Sequence, residues 1–220
     1  RGRRSTGRDM KITADNYYDA HELFDLRVMS TFGLTDGDLS ALEQVDGVSE
    51  AQGSKYSDLM FIYDGRDYNT RVFSWNETAK LNRIDILEGR FPQADNECIL
   101  NVRKMNGQIG IGEKLVLTDP SDNEDFPLKN KEYTIVGLFD TPMYISSTQR
   151  GSTTIGDGSL DAFAYIPESN FTQEVYTEIY IQSEQLKGVP SYSDEYEQLR
   201  DDISDKLDEL GIDRSEIRYN

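Results

Sequence analysis

The feature that most constrains the fold is a strand and helix pattern near the start of the chain that recurs only at its end. Residues 23–30 alternate apolar and polar side chains with the two-residue period of a half-buried strand. Thr35 then offers a helix N-cap, and Gly47 ends that helix before a new strand begins. Residues 175–182 repeat the strand pattern and a second helix follows them. Two such units are what a ferredoxin-like α/β sandwich requires, so we expect these distant segments to share one sheet.

Both ends of the chain carry local predictions. Residues 10–21 are predicted to form a short helix. In the second repeat, Ser193 is a good N-cap, and apolar residues at helical spacing follow it. Gly211 is predicted to end this helix, and residues 212–220 to begin another strand.

The middle of the chain has a different pattern. A long hairpin is predicted over residues 48–75, with Asp64-Gly65 at its turn. Short strands with frequent Gly and Pro turns then follow, which is typical of a small all-β subdomain. The predicted fold class is therefore α+β, an α/β sandwich subdomain with an inserted β-rich subdomain. The α/β subdomain is assigned residues 10–86 and 172–220 and the insertion residues 87–171, while residues 1–9 are a flexible arm or a cloning remnant.

The charge balance excludes some partners. Asp and Glu outnumber Lys and Arg by 41 to 23, a net charge of −18. Such a surface repels nucleic acid and disfavours adsorption to anionic lipid. No apolar run in the sequence approaches the roughly 20 residues that span a bilayer.

The residue types needed for catalysis are scarce. A single Cys and a single His exclude an internal disulfide and most metal and Ser-His-Asp chemistry. His21 is interpreted as a surface histidine and Cys98 as a small core side chain. The run 119–125 carries oxygen ligands at alternate positions but lacks the Gly and Glu of a calcium loop, so a solvated acidic loop is favoured. We therefore expect no enzyme activity and no catalytic, cofactor-binding or metal-binding residues.

One long segment is the candidate contact with a partner. Residues 141–160 are rich in Ser, Thr and Gly and show no periodicity, and long structureless loops are often functional. This segment contains an apolar patch that a solvated linker would not need. The patch consists of Pro142, Met143, Tyr144 and Ile145. The acidic loop 119–130 is the second choice.

Several short motifs, in order, resemble one known family. They lie at residues 9–18, 26–39, 88–92 with Glu97, 108–115, 133–138 and 164–167. Residues 88–92 read Glu-Gly-Arg-Phe-Pro, and residues 133–138 read Tyr-Thr-Ile-Val-Gly-Leu. Together they resemble the extracytoplasmic, MacB-like periplasmic core domain of FtsX-like ABC transporter permeases, and most of all the Gram-positive type.

The resemblance implies a non-enzymatic domain at the cell membrane, on the extracytoplasmic side. The fold it implies is a porter-like α/β subdomain with a β-rich insertion, and membrane helices would flank both. The implied partners are a cytoplasmic ABC ATPase subunit, a second permease copy or half, and an extracytoplasmic protein, lipoprotein or peptide. No cofactor is implied. The sequence lacks the Gly-x-x-x-x-Gly-Lys-Ser/Thr loop of ATPases, so this chain is expected neither to bind nor to hydrolyse ATP.

The residues leave one alternative open. That alternative is a free-standing secreted or surface binding module of the adhesin or carbohydrate-binding kind. Exposed Tyr side chains and Trp75 could stack on sugar rings in such a module.

Overall fold

The computed structural model describes residues 10–14, 24–101, 109–121, 124–140, 153, 156–190 and 192–219. The predictions for residues 1–9 and for His21 lie outside these residues. In chain order, the helices and strands of the described residues are β1 (Met10–Ala14), β2 (Leu26–Leu34), α1 (Asp36–Glu43), β3 (Glu50–Ser54), β4 (Tyr56–Tyr63), β5 (Arg66–Trp75), β6 (Asp85–Gly89), β7 (Glu97–Asn101), β8 (Lys114–Thr118), β9 (Glu132–Asp140), β10 (Ala162–Pro167), β11 (Tyr176–Gln182) and α2 (Asp194–Tyr219). The α+β fold class is confirmed.

The chain divides into two compact units. The first, which we call the α/β unit, comprises Arg1–Ser54, Lys80–Arg83 and Val175–Asn220. The second, the barrel unit, comprises Lys55–Ala79 and Ile84–Glu174.

The α/β unit contains a four-stranded sheet in the order β1-β2-β11-β3. Strand β11 pairs antiparallel with β2 on one side and with β3 on the other. Strand β2, helix α1 and strand β3 thus form a βαβ crossover that β11 splits, as in ferredoxin-like folds. The predicted pairing between residues 23–30 and 175–182 is confirmed by the register Val28 to Ile179.

Helix α1 begins where the sequence predicts. The Oγ1 of Thr35 accepts a hydrogen bond from the amide of Asp38 at 3.1 Å, and the carboxylate of Asp38 accepts one from the amide of Thr35 at 2.8 Å. This reciprocal capping box satisfies two backbone donors at the helix start. In helix α2, the Oγ of Ser193 accepts from the amide of Tyr196 at 3.2 Å.

Both helices pack on one face of the sheet, so the unit is a two-layer sandwich. Apolar side chains from β2 and β11 meet those from the two helices in a single core. Its buried members are Leu26, Val28, Leu34, Leu42, Ile179, Ile181, Leu186, Tyr196, Ile203 and Leu207.

Two predictions at the chain ends are wrong. Helix α2 does not stop at Gly211 but continues to Tyr219, so residues 212–219 are helical rather than extended. Gly211 is buried within the helix, where its lack of a side chain costs only about 1 kcal/mol in helix propensity. Residues 10–14, predicted as helix, instead form strand β1, which pairs antiparallel with β2.

The barrel unit contains a seven-stranded sheet in the order β6-β9-β7-β10-β5-β4-β8, and an additional pairing of β8 with β9 closes it. Strand β6 pairs with β9 beside β8, and the other six strands form the closed ring. Two pairs of neighbouring strands are parallel: β5 with β10, and β7 with β9. Alternate side chains fill the interior, as a small closed barrel requires. The buried residues include Leu59, Phe61, Val72, Cys98, Leu100, Leu115, Leu117, Tyr133, Ile135 and Ala164.

The unit boundaries differ from the predicted ones. The hairpin predicted over residues 48–75 was assigned whole to the α/β subdomain, but its first arm is two strands. Strand β3 pairs with β11 in the α/β unit, whereas β4 pairs with β5 and β8 in the barrel unit. The chain changes sheets at Lys55, directly after Gly53 and Ser54, and the predicted hairpin took this glycine as part of a continuous arm. Helix α2 and every other described helix are too short or too polar to cross a membrane.

Candidate functional site

Several strands of the barrel unit begin or end at the same end of the ring. Strands β7 and β9 run parallel and end there, and strands β5 and β10 begin there. The Asp64-Gly65 turn of the β4–β5 hairpin lies at the same end, because β4 is antiparallel to β5. We call this end the loop pole, defined by residues 64–69, Asn101, Asp140 and 156–162. The described strands β7 and β9 end at this pole, at Asn101 and Asp140, and residues 156–161 lead into β10 there.

The candidate contact patch belongs to the connection between β9 and β10. Pro142, Met143, Tyr144 and Ile145 lie outside the described residues. The described residues on either side place its two ends, since Asp140 closes β9 and residues 156–161 lead into β10.

A polar cluster fixes the returning end of that connection. The Nδ2 of Asn69 donates to Oδ1 of Asp157 at 3.3 Å and to the carbonyl of Ser159 at 2.9 Å. The backbone amide of Asn69 donates to Oδ2 of Asp161 at 3.0 Å, and its carbonyl accepts from the amide of Asp161 at 2.8 Å. We call the cluster of Asn69, Asp157, Ser159 and Asp161 the Asn69 clamp. The sequence analysis missed it because its two halves are about 90 positions apart, and a lone Asn in a strand gives no signal.

We call the opposite end of the barrel, with Asp95, residues 127–130 and Asn170, the closed pole. The buried side-chain amide of Asn170 joins its segments by hydrogen bonds. The Nδ2 of Asn170 donates to the carbonyl of Asp95 at 2.8 Å, and its Oδ1 accepts from Nδ2 of Asn130 at 2.9 Å. The Tyr133 hydroxyl donates to the carbonyl of Asn130 at 3.0 Å. The amide of Thr172 also donates to the carbonyl of Pro127 at 3.0 Å. The second-choice loop 119–130 is therefore bound to the barrel along its last residues.

The motif at residues 88–97 has a structural role. The guanidinium of Arg90 donates two hydrogen bonds to the carboxylate of Glu97, at 2.8 and 2.7 Å. The same carboxylate accepts from the amides of Gln93 and Ala94 at 2.7 and 3.1 Å. Hydrogen bonds from Arg90, and then from the two amides, lower the pKa of Glu97 to about 2. Glu97 therefore closes the turn between β6 and β7.

Two glycines of these motifs face each other on the neighbouring antiparallel strands β6 and β9. Gly89 and Gly137 are register partners on β6 and β9. A Cβ on Gly89, which has φ +80°, would lie 2.2 Å from the carbonyl oxygen of Val136. A Cβ on Gly137 would lie 2.3 Å from the carbonyl oxygen of Arg90. Only glycine allows this close approach of the two backbones, so both motifs encode the construction of the barrel.

The other singled-out residues do not form a catalytic site. Cys98 is fully buried, and burial raises the pKa of its thiol far above the usual range, so it is the core side chain that the sequence predicted. The carboxylate of Asp119 accepts from the amide and hydroxyl of Ser121, as in an ordinary polar turn. Within the described ranges, no group of three or more His, Cys, Asp or Glu side chains could hold a metal ion.

In the carbohydrate-binding alternative, Trp75 would stack on a sugar ring, but another aromatic side chain covers one face of its indole. Its ring stacks on that of Phe91 at a centroid distance of 5.4 Å and an interplanar angle of 12°. Both side chains are half-buried. This geometry makes Trp75 part of the barrel's packing rather than an open platform for a sugar ring.

Comparison with known proteins gives one family. The family model described as "MacB-like periplasmic core domain" matches residues 4–199 of the 220 residues. No curated protein matches the chain.

Two solved structures are similar to this chain. The extracellular domain of the ABC-type transporter YknZ from Gram-positive bacteria is 17% identical, with 79% of this chain and 86% of that chain covered and a TM-score of 0.42. The periplasmic region of MacB from Actinobacillus actinomycetemcomitans is 11% identical, with 93% and 84% covered and a TM-score of 0.46.

Proposed function

This chain belongs to the family of MacB-like periplasmic core domains, and on that premise we propose that it couples ATP hydrolysis in the cytoplasm to an event outside the cell membrane. The chain is the extracytoplasmic domain of an ABC transporter permease, as its motifs indicated. The event is the movement, release or regulation of an extracytoplasmic protein, lipoprotein or peptide. A separate ATPase subunit supplies the energy, and membrane helices on either side of the domain transmit the motion.

The domain's part in this mechanism is to bind and to transmit, without chemistry of its own. The support is the composition of its interior. The thiol of Cys98 is buried in the barrel core, and the carboxylate of Glu97 is bound to Arg90 and two backbone amides. The thiol of Cys98 thus serves in packing, and the carboxylate of Glu97 in a turn.

The loop pole is the proposed contact with the partner. The observation that supports this proposal is that β7 and β9 end, and β5 and β10 begin, at the same end of the barrel. The connection between β9 and β10 contains the apolar patch at Pro142, Met143, Tyr144 and Ile145. Loops placed on a rigid scaffold are where binding residues concentrate. At the closed pole, by contrast, the acidic loop is hydrogen-bonded back to the barrel at Pro127 and Asn130.

A photo-cross-linking experiment tests the contact. A photoreactive amino acid replaces Tyr144 in the full permease, expressed in its own host cells. We expect adducts with an extracytoplasmic protein or peptide after irradiation. The matched control carries the same amino acid at Glu77, an exposed position beyond the opposite end of β5. A third position, the exposed Glu124, tests the acidic loop. Adducts at Glu124 and none at Tyr144 would move the contact to the closed pole.

Coupling to the ATPase has its own test. The cross-link at Tyr144 is compared between cells with the natural ATPase subunit and cells whose ATPase binds ATP without hydrolysing it. We expect the yield to change several-fold when hydrolysis stops, because the domain then stays in one state of the cycle. An identical yield in both cells would leave a binding domain that is not coupled to hydrolysis.

A further inference from the structure

We propose that residues 80–83 are a latch: they bind the α/β sheet as one unit through Gln52 and Asn82, and by closing or opening they set how freely the barrel segment of the chain is tethered. The inference goes beyond the proposed contact with a partner. It concerns only described residues and involves no partner, so it can be tested independently of the proposed function.

The latch is a short detour of the chain into the α/β unit. Ala79 and Ile84 both belong to the barrel unit, whereas Lys80–Arg83 between them belongs to the α/β unit. The chain also passes from one unit to the other after Ser54 and after Glu174. The latch therefore adds a further attachment. It can open while the other two stay as they are, because both of its neighbours in the chain belong to the barrel unit.

A side chain of strand β3 holds the first part of the latch. The Oε1 of Gln52 accepts hydrogen bonds from the amides of Lys80 and Leu81, at 2.9 and 2.8 Å. Its Nε2 donates to the carbonyl of Leu81 at 3.3 Å. A side-chain amide offers both an acceptor and donors, so Gln52 pairs with the latch much as a backbone would. Leu81 is only 2% exposed, so its backbone groups depend on Gln52 rather than on water.

Asn82 holds the second part of the latch. Its Oδ1 accepts from the buried amide of Phe24 at 3.4 Å. The ring of Phe24 packs on that of Tyr180, with 4.7 Å between the centroids. Asn82 has φ +57°, a left-handed conformation that asparagine adopts more readily than most residues with a side chain. The second part therefore needs an asparagine both for its oxygen and for its backbone.

Both holding points lie on the face of the sheet opposite the helices. Ile179 and Ile181 point into the core that the helices cover, so Tyr180 between them points the other way. Gln52 is the register partner of Tyr180 and shares its face. The latch thus reaches across the sheet from β3 to Phe24, two residues before β2.

The two parts open together because they are adjacent in the chain. Loss of the Gln52 amide leaves the buried amide and carbonyl of Leu81 without partners, and such groups gain free energy by moving into water. Asn82 follows directly and loses the contacts that keep its left-handed conformation. Once open, residues 76–84 are a loop of the barrel unit alone. If the proposed function holds, a motion delivered to the α/β unit then reaches the barrel through a looser tether.

The test opens the latch from either part. Gln52→Ala removes the hydrogen bonds to β3. Asn82→Ala removes the acceptor of the Phe24 amide and places a less tolerant residue at φ +57°. Gln198→Ala is the control, because it makes the same chemical change at an exposed position of helix α2, on the other side of the sheet. If Gln52→Ala fails to fold, Asn82→Ala carries the test, since it lies outside the sheet.

The first measurement is hydrogen exchange in this chain, read at the part of the latch that each substitution leaves intact. In Gln52→Ala we expect the Phe24 amide to exchange about 10-fold faster or more, and in Asn82→Ala the amides of Lys80 and Leu81 to do so. The control should leave all three amides unchanged. Faster exchange only at the substituted part would overturn the latch as a single unit.

The second measurement is the distribution of distances between two nitroxide labels, one on each unit. The labels are attached at Asp202→Cys on helix α2 and Ile62→Cys on β4, both exposed positions, while the buried Cys98 stays unlabelled. We expect the distribution to become about twice as broad in both latch variants, because a longer free chain allows more positions, and to keep its width in the control. An unchanged width despite faster exchange would overturn the tether. Neither measurement involves an ATPase or a partner, so failure of the proposed function would leave both results standing.

Discussion

Glu97 shows how much of the barrel's construction depends on single charged groups. Its carboxylate accepts hydrogen bonds from Arg90 and from two backbone amides, and its side chain is only 15% exposed. A carboxylate in this setting is stabilised in its charged form, so its pKa falls below that of the unfolded chain. Charge on Glu97 and folding of the β6–β7 turn are therefore linked.

We predict that Glu97→Gln destabilises the protein at neutral pH and much less in acid. The loss at pH 7 should be about 1–2 kcal/mol, since hydrogen bonds to a charged group are replaced and Arg90 is partly solvated. The folded pKa of about 2 lies below the unfolded value of 4.5, so the stabilisation is complete above pH 4.5 and is lost as the pH falls toward 2. Urea unfolding of both proteins at pH 7 and pH 3 measures the difference. If the difference in unfolding free energy between the two proteins were the same at pH 7 and pH 3, the proposed role of the Glu97 charge would be contradicted.

The two Asn-x-Thr sequences differ in a way that predicts their modification. Asn76 is exposed, and its Oδ1 accepts from the amide and hydroxyl of Thr78 at 3.0 and 2.9 Å. Asn170 is 1% exposed and its amide is used at the closed pole. Passed through a glycosylating secretory pathway, the chain should gain one glycan, at Asn76. Gel mobility checks this: Asn76→Gln should abolish the shift, and Thr172→Val, which removes the second sequon, should preserve it.

At the scale of elements, helix α2 contributes much of the α/β core. Ile203 lies on its buried face, is 1% exposed, and shares the core with Leu42 and Leu207. We predict that Ile203→Ala lowers the free energy of unfolding by about 2–5 kcal/mol, because it removes buried methyl groups and leaves a cavity. Urea unfolding followed by far-UV circular dichroism measures this, since both helices belong to this unit. The neighbouring Asp202→Ala, at an exposed position, should change the midpoint little.

The elements that the sequence predicts well are those whose cause is local. Strand β2 alternates, helix α1 has its capping box at Thr35, and strand β11 alternates again, so each could be derived from its own residues. The predicted end of helix α2 at Gly211 is wrong because it rests on glycine as a local stop signal, whereas the helical backbone continues to Tyr219. The break at Lys55 could not be derived, because it depends on which sheet each strand joins.

The candidate site follows the same division. The apolar patch from Pro142 to Ile145 could be found in the sequence, because it is contiguous. The clamp could not, since Asn69 and Asp157 come together only after β5 and β10 have paired. A contiguous pattern can be found in the sequence, whereas a cluster whose residues are far apart in the chain can be found only once the fold is known.

At the scale of the whole molecule, the two units have separate cores. Cys98 is buried in the barrel core and Ile203 in the α/β core, and the two sets of residues do not overlap. The only thiol of the chain therefore reports on the barrel alone. We predict that a thiol reagent labels Cys98 no faster in Ile203→Ala than in the unsubstituted protein, whereas Leu100→Ala, in the barrel core, speeds labelling at least about 10-fold. Equal acceleration by both substitutions would show that the cores open together.

The split crossover has a consequence for how the molecule is made. Strand β11 lies between β2 and β3 in the sheet, but it follows the whole barrel segment in the chain. Synthesis proceeds from the amino end, and units fold as they become complete. The barrel is complete once Glu174 has been added, while β2 and β3 still lack the strand that joins them. We therefore expect the α/β unit to fold after the barrel unit during biosynthesis, although β2, α1 and β3 precede the barrel segment in the chain.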